Sequence, residues 1–123
     1  MELNLVTGHI VDSAMRVHSE LGPGLLESAY EACMIHELQT RAVRVRNQVE
    51  QPILYNGCLI DVGYRLDLLV EEIVIVELKS VDVLAPIHKA QLLSYLRLSK
   101  KKIGLLLNFN VERMKEGIIR LAN

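Results

Sequence analysis

The stretch from Tyr64 to Lys79, Y-R-L-D-L-L-V-E-E-I-V-I-V-E-L-K, constrains this chain more than any other. It holds two apolar runs of strand length, Tyr64–Val70 and Ile73–Leu78, separated by Glu71-Glu72. Aliphatic and β-branched residues at this density favour a buried, pleated surface. Asp67, Glu77 and Lys79 interrupt or end the two runs. Desolvating an isolated charge is costly, so each of the three needs a partner, either one another or a cation. Side chains alternate along a strand, which puts Glu77 and Lys79 on one face. A two-residue loop at Glu71-Glu72 sets Asp67 opposite Val76, facing away from Glu77. An odd loop or a bulge sets it on the shared face. No glycine marks the odd case.

The flanking segments supply the layers for such a hairpin. Leu3, Val6, Ile10, Ala14, Val17 and Leu21 recur at spacings of three and four, the stripe of an amphipathic helix over residues 3–21. Gly22-Pro23-Gly24 ends it, and a second helix is expected from about 25 to 42, with Leu26, Ala29, Tyr30, Cys33, Met34 and Leu38 inward. Residues 44–51 read as a short extended piece that Pro52 breaks. Asn56-Gly57 between Ile53-Leu54-Tyr55 and Cys58-Leu59-Ile60 predicts a hairpin with a type I′ turn. Pro86 opens a third helix to about Ser99, with Ile87, Ala90, Leu92 or Leu93, Tyr95 and Leu96 on its buried side. Ile103–Leu107 reads as a strand buried on both faces. A short helical segment ended by Gly117 and a last strand at Ile118–Leu121 follow. The expected fold is α/β (α+β), a mixed central sheet flanked by helices, in which the helix before Ile103 makes a parallel crossover.

Composition narrows the function classes. A chain of 123 residues is expected to form one domain, residues 1–123. No apolar run approaches the roughly 20 residues of a membrane helix, and the N-terminus lacks the basic and apolar regions of a signal peptide. A cytoplasmic setting, without a membrane, is the expectation. Cys33 and Cys58 form no paired motif and read as reduced thiols; a zinc site from Cys33 and His36 with His9 or His18 is the weaker alternative. With a net charge of −1, bulk charge does not draw this chain to nucleic acid. Any such contact must be local, at Arg41, Arg44 and Arg46 or at Arg97 and Lys100–Lys102, clusters that serve equally as solvated surface.

If Asp67 and Glu77 converge, two repelling carboxylates require a cation between them. An all-oxygen donor set suits Mg²⁺ or Mn²⁺, which retain several waters. Such an ion can polarise a phosphodiester, acidify a water and stabilise a leaving oxygen. Lys79 beside it could orient that water or neutralise charge growing on the phosphate. A plain ion cluster, with Lys79 paired to Glu77 or Asp67, explains the same spacing.

The D-x9-E-x-K pattern of Asp67, Glu77 and Lys79 resembles the signature of the PD-(D/E)XK nuclease superfamily. Gly24-Leu25-Leu26-Glu27-Ser28-Ala29-Tyr30 resembles the motif that names its GxxExxY family. The likeness continues through residues 64–70, 76–79, 88–96 and 104–109, nearly the whole chain in order. Leu66 stands where the superfamily's name has a proline. The resemblance implies a restriction-endonuclease-like αβββαβ core with a divalent metal at Asp67 and Glu77. Lys79 is then the catalytic lysine, Glu27 the acidic residue lent by the preceding helix, and Gln91 and Tyr95 the Q-x-x-x-Y pair that supports the site. It further implies a nucleic-acid substrate, DNA or RNA.

From the residues alone, Glu27 serves equally well as an N3 glutamate at a helix start, and Tyr95 as core. Gln91 reads as a buried amide that needs partners, and His88 as surface or a phosphate contact. A non-catalytic module that binds nucleic acid or protein on the same fold stays open. So does recognition through a homodimer or a partner protein.

Overall fold

Helix α1 spans Leu3–Leu21 in the computed structural model, which describes residues 1–123. The Glu2 carboxylate accepts the N–H groups of Asn4 and Leu5 at 3.0 and 3.3 Å, satisfying donors that a helix start leaves free. Val6, Ile10, Ala14 and Val17 form its buried stripe, while Leu21, the last helical residue, is exposed. Helix α2 is shorter than the sequence suggests, Glu27–Thr40, with Tyr30, Met34 and Leu38 buried. Leu26, expected inward, lies just before its first turn, off the stripe, and is 78% exposed.

Strands β1 (Val45–Glu50), β4 (Arg65–Val70), β5 (Val74–Lys79), β6 (Ile103–Asn108) and β7 (Ile118–Ala122) form one sheet in the order β1-β4-β5-β6-β7. Only β5 and β6 are parallel, and helix α3 (Pro86–Ser99) connects them. Strands β2 (Ile53–Tyr55) and β3 (Cys58–Ile60) form a separate hairpin inserted between β1 and β4. Asn56 and Gly57 take φ of +55° and +79° in its turn, as their residue types predict. A short 3₁₀ turn, Met114–Gly117, precedes β7.

One face of the sheet packs on α1 and α2 through Leu68, Val70, Val76, Leu78, Leu105 and Leu107. The other packs on α3 through Leu66, Leu69, Ile75 and Leu106 against Leu92, Tyr95 and Leu96. Fully burying such a side chain is worth about 1.5–3 kcal/mol. Gly104 lets α3 lie close, because a Cβ there would stand 2.9 Å from Leu92 Cδ1. Ile87 and Ala90, expected inward on α3, face outward. The inward residue four before Leu92 is His88 instead, and its Nδ1 accepts the Ala85 N–H at 3.0 Å to cap the helix.

The turn between β4 and β5 sets the register that matters most. Glu71 and Glu72 have φ of +52° and +59°, and Ile73 N–H donates to Val70 O at 3.1 Å. That is a primed turn, but Val70 pairs with Val74, so the loop counts three residues and not two. Non-glycine residues resist positive φ, and here Arg44 and Arg46, at the start of β1, hold them. Glu71 accepts the Arg44 N–H at 2.6 Å, and Glu72 forms two bonds to the Arg46 guanidinium at 2.7 and 2.8 Å. These bonds hold both carboxyls below the usual carboxylate range. Arg41 pairs with Glu37, so each of the three arginines already has a carboxylate partner. Glu71→Ala is expected to lower the thermal midpoint by several degrees. Arg44→Ala should be nearly neutral, because the principal bond is to its backbone; equal losses in differential scanning fluorimetry would contradict this anchor.

Candidate active site

Continuing the β4–β5 register by one pair beyond Leu68 and Val76 sets Asp67 across from Glu77. The odd loop therefore brings the two carboxylates to one place. The ladder stops there, and the Asp67 carboxylate accepts the Leu78 N–H at 2.8 Å in place of a backbone bond. The β1–β4 ladder also skips Asp67. Asn47 pairs with Leu68 and Val49 with Leu66, while Gln48 between them has φ of +51°. Leu66 and Leu69 both face α3, whereas Leu68 and Val70 face α1 and α2. Strict alternation thus fails at Asp67, where the strand re-aims.

Glu77 is buried, 6% exposed, and its Oε1 has no hydrogen-bond partner. Burial pushes its pKa up to about 10, and the neighbouring Asp67 pushes in the same direction. A carboxyl so placed holds a proton or faces a cation; ionised alone it is very costly. An orphaned oxygen beside a second carboxylate fits a hard divalent ion, which uses only one or two protein carboxylates. Lys79, half-buried at the end of β5, forms no ion pair with either acid. The plain ion cluster is therefore not formed.

Glu27 begins α2 as its first helical residue, so it is not an N3 capping glutamate, and Leu26 at the cap makes no side-chain bond. It lines a cleft of about 150 Å³ with Glu31, Gln48 and Asp67. Gln48 Nε2 donates to Glu31 Oε1 at 2.6 Å, which ties β1 to α2 across that cleft. Tyr30 places this helix start. Its hydroxyl donates to Gly22 O at 2.6 Å and accepts the Leu25 N–H at 3.2 Å, and its ring stacks on Phe109 at 4.4 Å. Ser80 Oγ, just past Lys79, donates to Leu25 O at 2.7 Å. The G-x-x-E-x-x-Y segment and the end of β5 are thereby joined.

On the α3 side, Gln91 Nε2 donates to the Tyr95 hydroxyl at 3.1 Å. Gln91 is exposed rather than buried, because the helix is rotated toward His88 and Leu92. Tyr95 is buried, and desolvation followed by the Glu77 charge raises its pKa. Its phenol therefore stays protonated beside the carboxylates.

Nowhere do three or more His, Cys, Asp or Glu side chains gather as a ready metal cluster. The Cys33–His36 zinc site is not formed, and His18 Nε2 instead lies 2.7 Å from Val111 O. Asp67 and Glu77 are the pair that converges, with Glu27 across the adjoining cleft. Residues to which the sequence assigned no role at the site also build it. Asn108, across from Lys79 in the parallel register, holds both Val81 backbone groups at 3.1 and 2.9 Å. Gln48 and Glu31 carry no sequence signal of their own. Tyr64, at the head of the organising stretch, stands 5.9 Å from Tyr95 ring to ring.

No helix is long and apolar enough to cross a membrane. No curated protein and no solved structure matches the chain. The family model of the PD-(D/E)XK nuclease superfamily matches residues 4–121. The mixed sheet with a helical crossover into β6 and the meeting of Asp67 with Glu77 accord with that match: the chain belongs to the PD-(D/E)XK nuclease superfamily.

Proposed function

We propose that this chain is a metal-dependent nuclease that hydrolyses phosphodiester bonds of DNA or RNA, within the GxxExxY branch of its superfamily. Asp67 and Glu77 hold Mg²⁺, or Mn²⁺ in its place, and Glu27 assists from the adjoining cleft. The observation that carries this reading is the buried Glu77 with an orphaned oxygen across from Asp67. When bound, the ion supplies Lewis-acid polarisation of the phosphodiester and stabilises the leaving oxygen.

The chain's own groups do the rest. Lys79, unpaired and half-buried, orients the attacking water and offsets negative charge growing on the phosphate. Tyr95, held by Gln91, keeps its proton and presents a fixed dipole beside Glu77. Tyr30 acts at one remove, by positioning Glu27.

The test is cleavage of single- and double-stranded DNA and RNA with Mg²⁺ or Mn²⁺, wild type against Lys79→Ala purified identically. Losing one preorganised charge at the reacting phosphate is expected to lower the rate by about 10²–10³-fold. Equal cutting by both proteins would mark a contaminant and sink the reading.

A further inference from the structure

The β2–β3 hairpin, Tyr64 and one side of α3 enclose a groove that adjoins the carboxylate site at Gln91 and Tyr95. One part, about 320 Å³, runs over Ile87, His88, Gln91 and Tyr95. The next, about 500 Å³, runs between Ile53-Leu54 and Arg97 with Lys100. The two share Tyr64, Ser94 and Leu98, so they form one continuous path. It begins at Gln91 and Tyr95, the hydrogen-bonded pair on the α3 side of the candidate site, and ends at two cations.

We propose that this groove seats an unpaired nucleic-acid strand leading from the carboxylate site, with a base stacked on Tyr64 and phosphates met by Arg97 and Lys100. The inference rests on the nuclease reading for its direction and goes beyond it in substrate form. No Asp or Glu lines either part. Arg97 and Lys100 have no ion-pair partner, unlike the arginines that anchor the β4–β5 turn. In a chain of net charge −1, two free cations at the end of an acid-free groove are local complementarity to phosphate. The walls between are apolar: Leu54 is 60% exposed, Ile87 68% and Tyr64 42%. A duplex turns phosphates outward and hides its base faces, which leaves such walls without a contact. An unpaired strand offers those faces, and stacking on an aromatic ring with cations along the backbone is how sequence-tolerant single-strand binding works. Because the Ala85 N–H donates to His88 Nδ1, the His88 proton sits on Nε2, a donor at the Tyr95 end of the path.

The experiment is fluorescence anisotropy in EDTA, so that binding is read without cleavage, using labelled oligo-dT, oligo-U and a hairpin duplex of equal length. The single strands are expected to bind at least tenfold tighter than the duplex, and the better of the two names DNA or RNA. Tyr64→Ala should weaken single-strand binding about tenfold, and Tyr64→Phe should restore it. Arg97→Ala and Lys100→Ala should each reduce the salt slope of log K by about 0.7. Far-UV circular dichroism checks that the variants fold. Duplex binding as tight as single-strand binding, or Tyr64→Ala binding like wild type, overturns the proposal. So does a dimer in sedimentation that Tyr64→Ala dissolves, which would assign the groove to a second copy. The two readings fail separately. Single-strand binding with no cleavage under any metal retains the groove and removes the nuclease. Metal-dependent duplex cutting untouched by Tyr64→Ala does the reverse.

Discussion

Glu77→Gln is expected to abolish metal-dependent cleavage and, in the metal-free protein, to remove an alkaline loss of stability. Glu77 has a pKa of about 10 in the folded chain against an ordinary 4.5. Between those values the folded state keeps a proton that the unfolded state has released. Stability from this group is therefore complete below the ordinary value and falls as pH rises toward 10, by up to about 1.4 kcal/mol per pH unit. A divalent ion needs the carboxylate ionised, so stabilisation by Mg²⁺ should grow with pH over the same window. The glutamine variant should show neither the slope nor the Mg²⁺ effect. Urea midpoints at pH 6, 7.5 and 9, each in EDTA and in Mg²⁺, read both. A wild-type slope that survives the substitution would mean another group causes it, and Glu77 would lose its place as the buried acid of the site.

Tyr30→Ala carries the largest structural cost. The side chain is fully buried, stacks on Phe109 with ring planes 9° apart, and holds two backbone groups of the Gly22–Leu25 turn through its hydroxyl. Truncating such an aromatic costs about 3–5 kcal/mol, a large share of what a small domain has. Tyr30→Phe keeps the stack and loses the hydroxyl, and should cost about 1–3 kcal/mol for groups left unpaired. Chemical denaturation of the two variants separates ring from hydroxyl. If Tyr30→Phe unfolds like wild type, the tyrosine of the motif is not the pin of the α2 start, and Glu27 must be positioned by other means.

Elements with a local cause were readable from the residues. The α1 stripe and its bounds at 3 and 21, Pro86 at the start of α3 and Asn56-Gly57 in a primed turn each follow from spacing or backbone preference within a few residues. The residues leave the outcome open, or point the wrong way, where a distant partner overrides local preference. Glu71 and Glu72 adopt positive φ without glycine because the Arg44 N–H, just before β1, and the Arg46 guanidinium hold them. Ile87, Ala90 and Gln91 face outward because α3 is rotated to put Leu92, Tyr95 and Leu96 against the sheet. Neither effect has a signature in the segment where it acts.

The sequence by itself determined the sheet-and-helix order, the Asp67, Glu77 and Lys79 spacing and the superfamily that spacing resembles. Alternation along one strand is enough to join Glu77 and Lys79. Whether Asp67 meets them was decided only in three dimensions. That meeting depends on one loop residue, Ile73, and on a break in two ladders at Asp67, and both are held by contacts to β1 and β5. Register is a property of a pair of strands, and a single-residue slip reverses every side chain. No single segment of the chain contains that information.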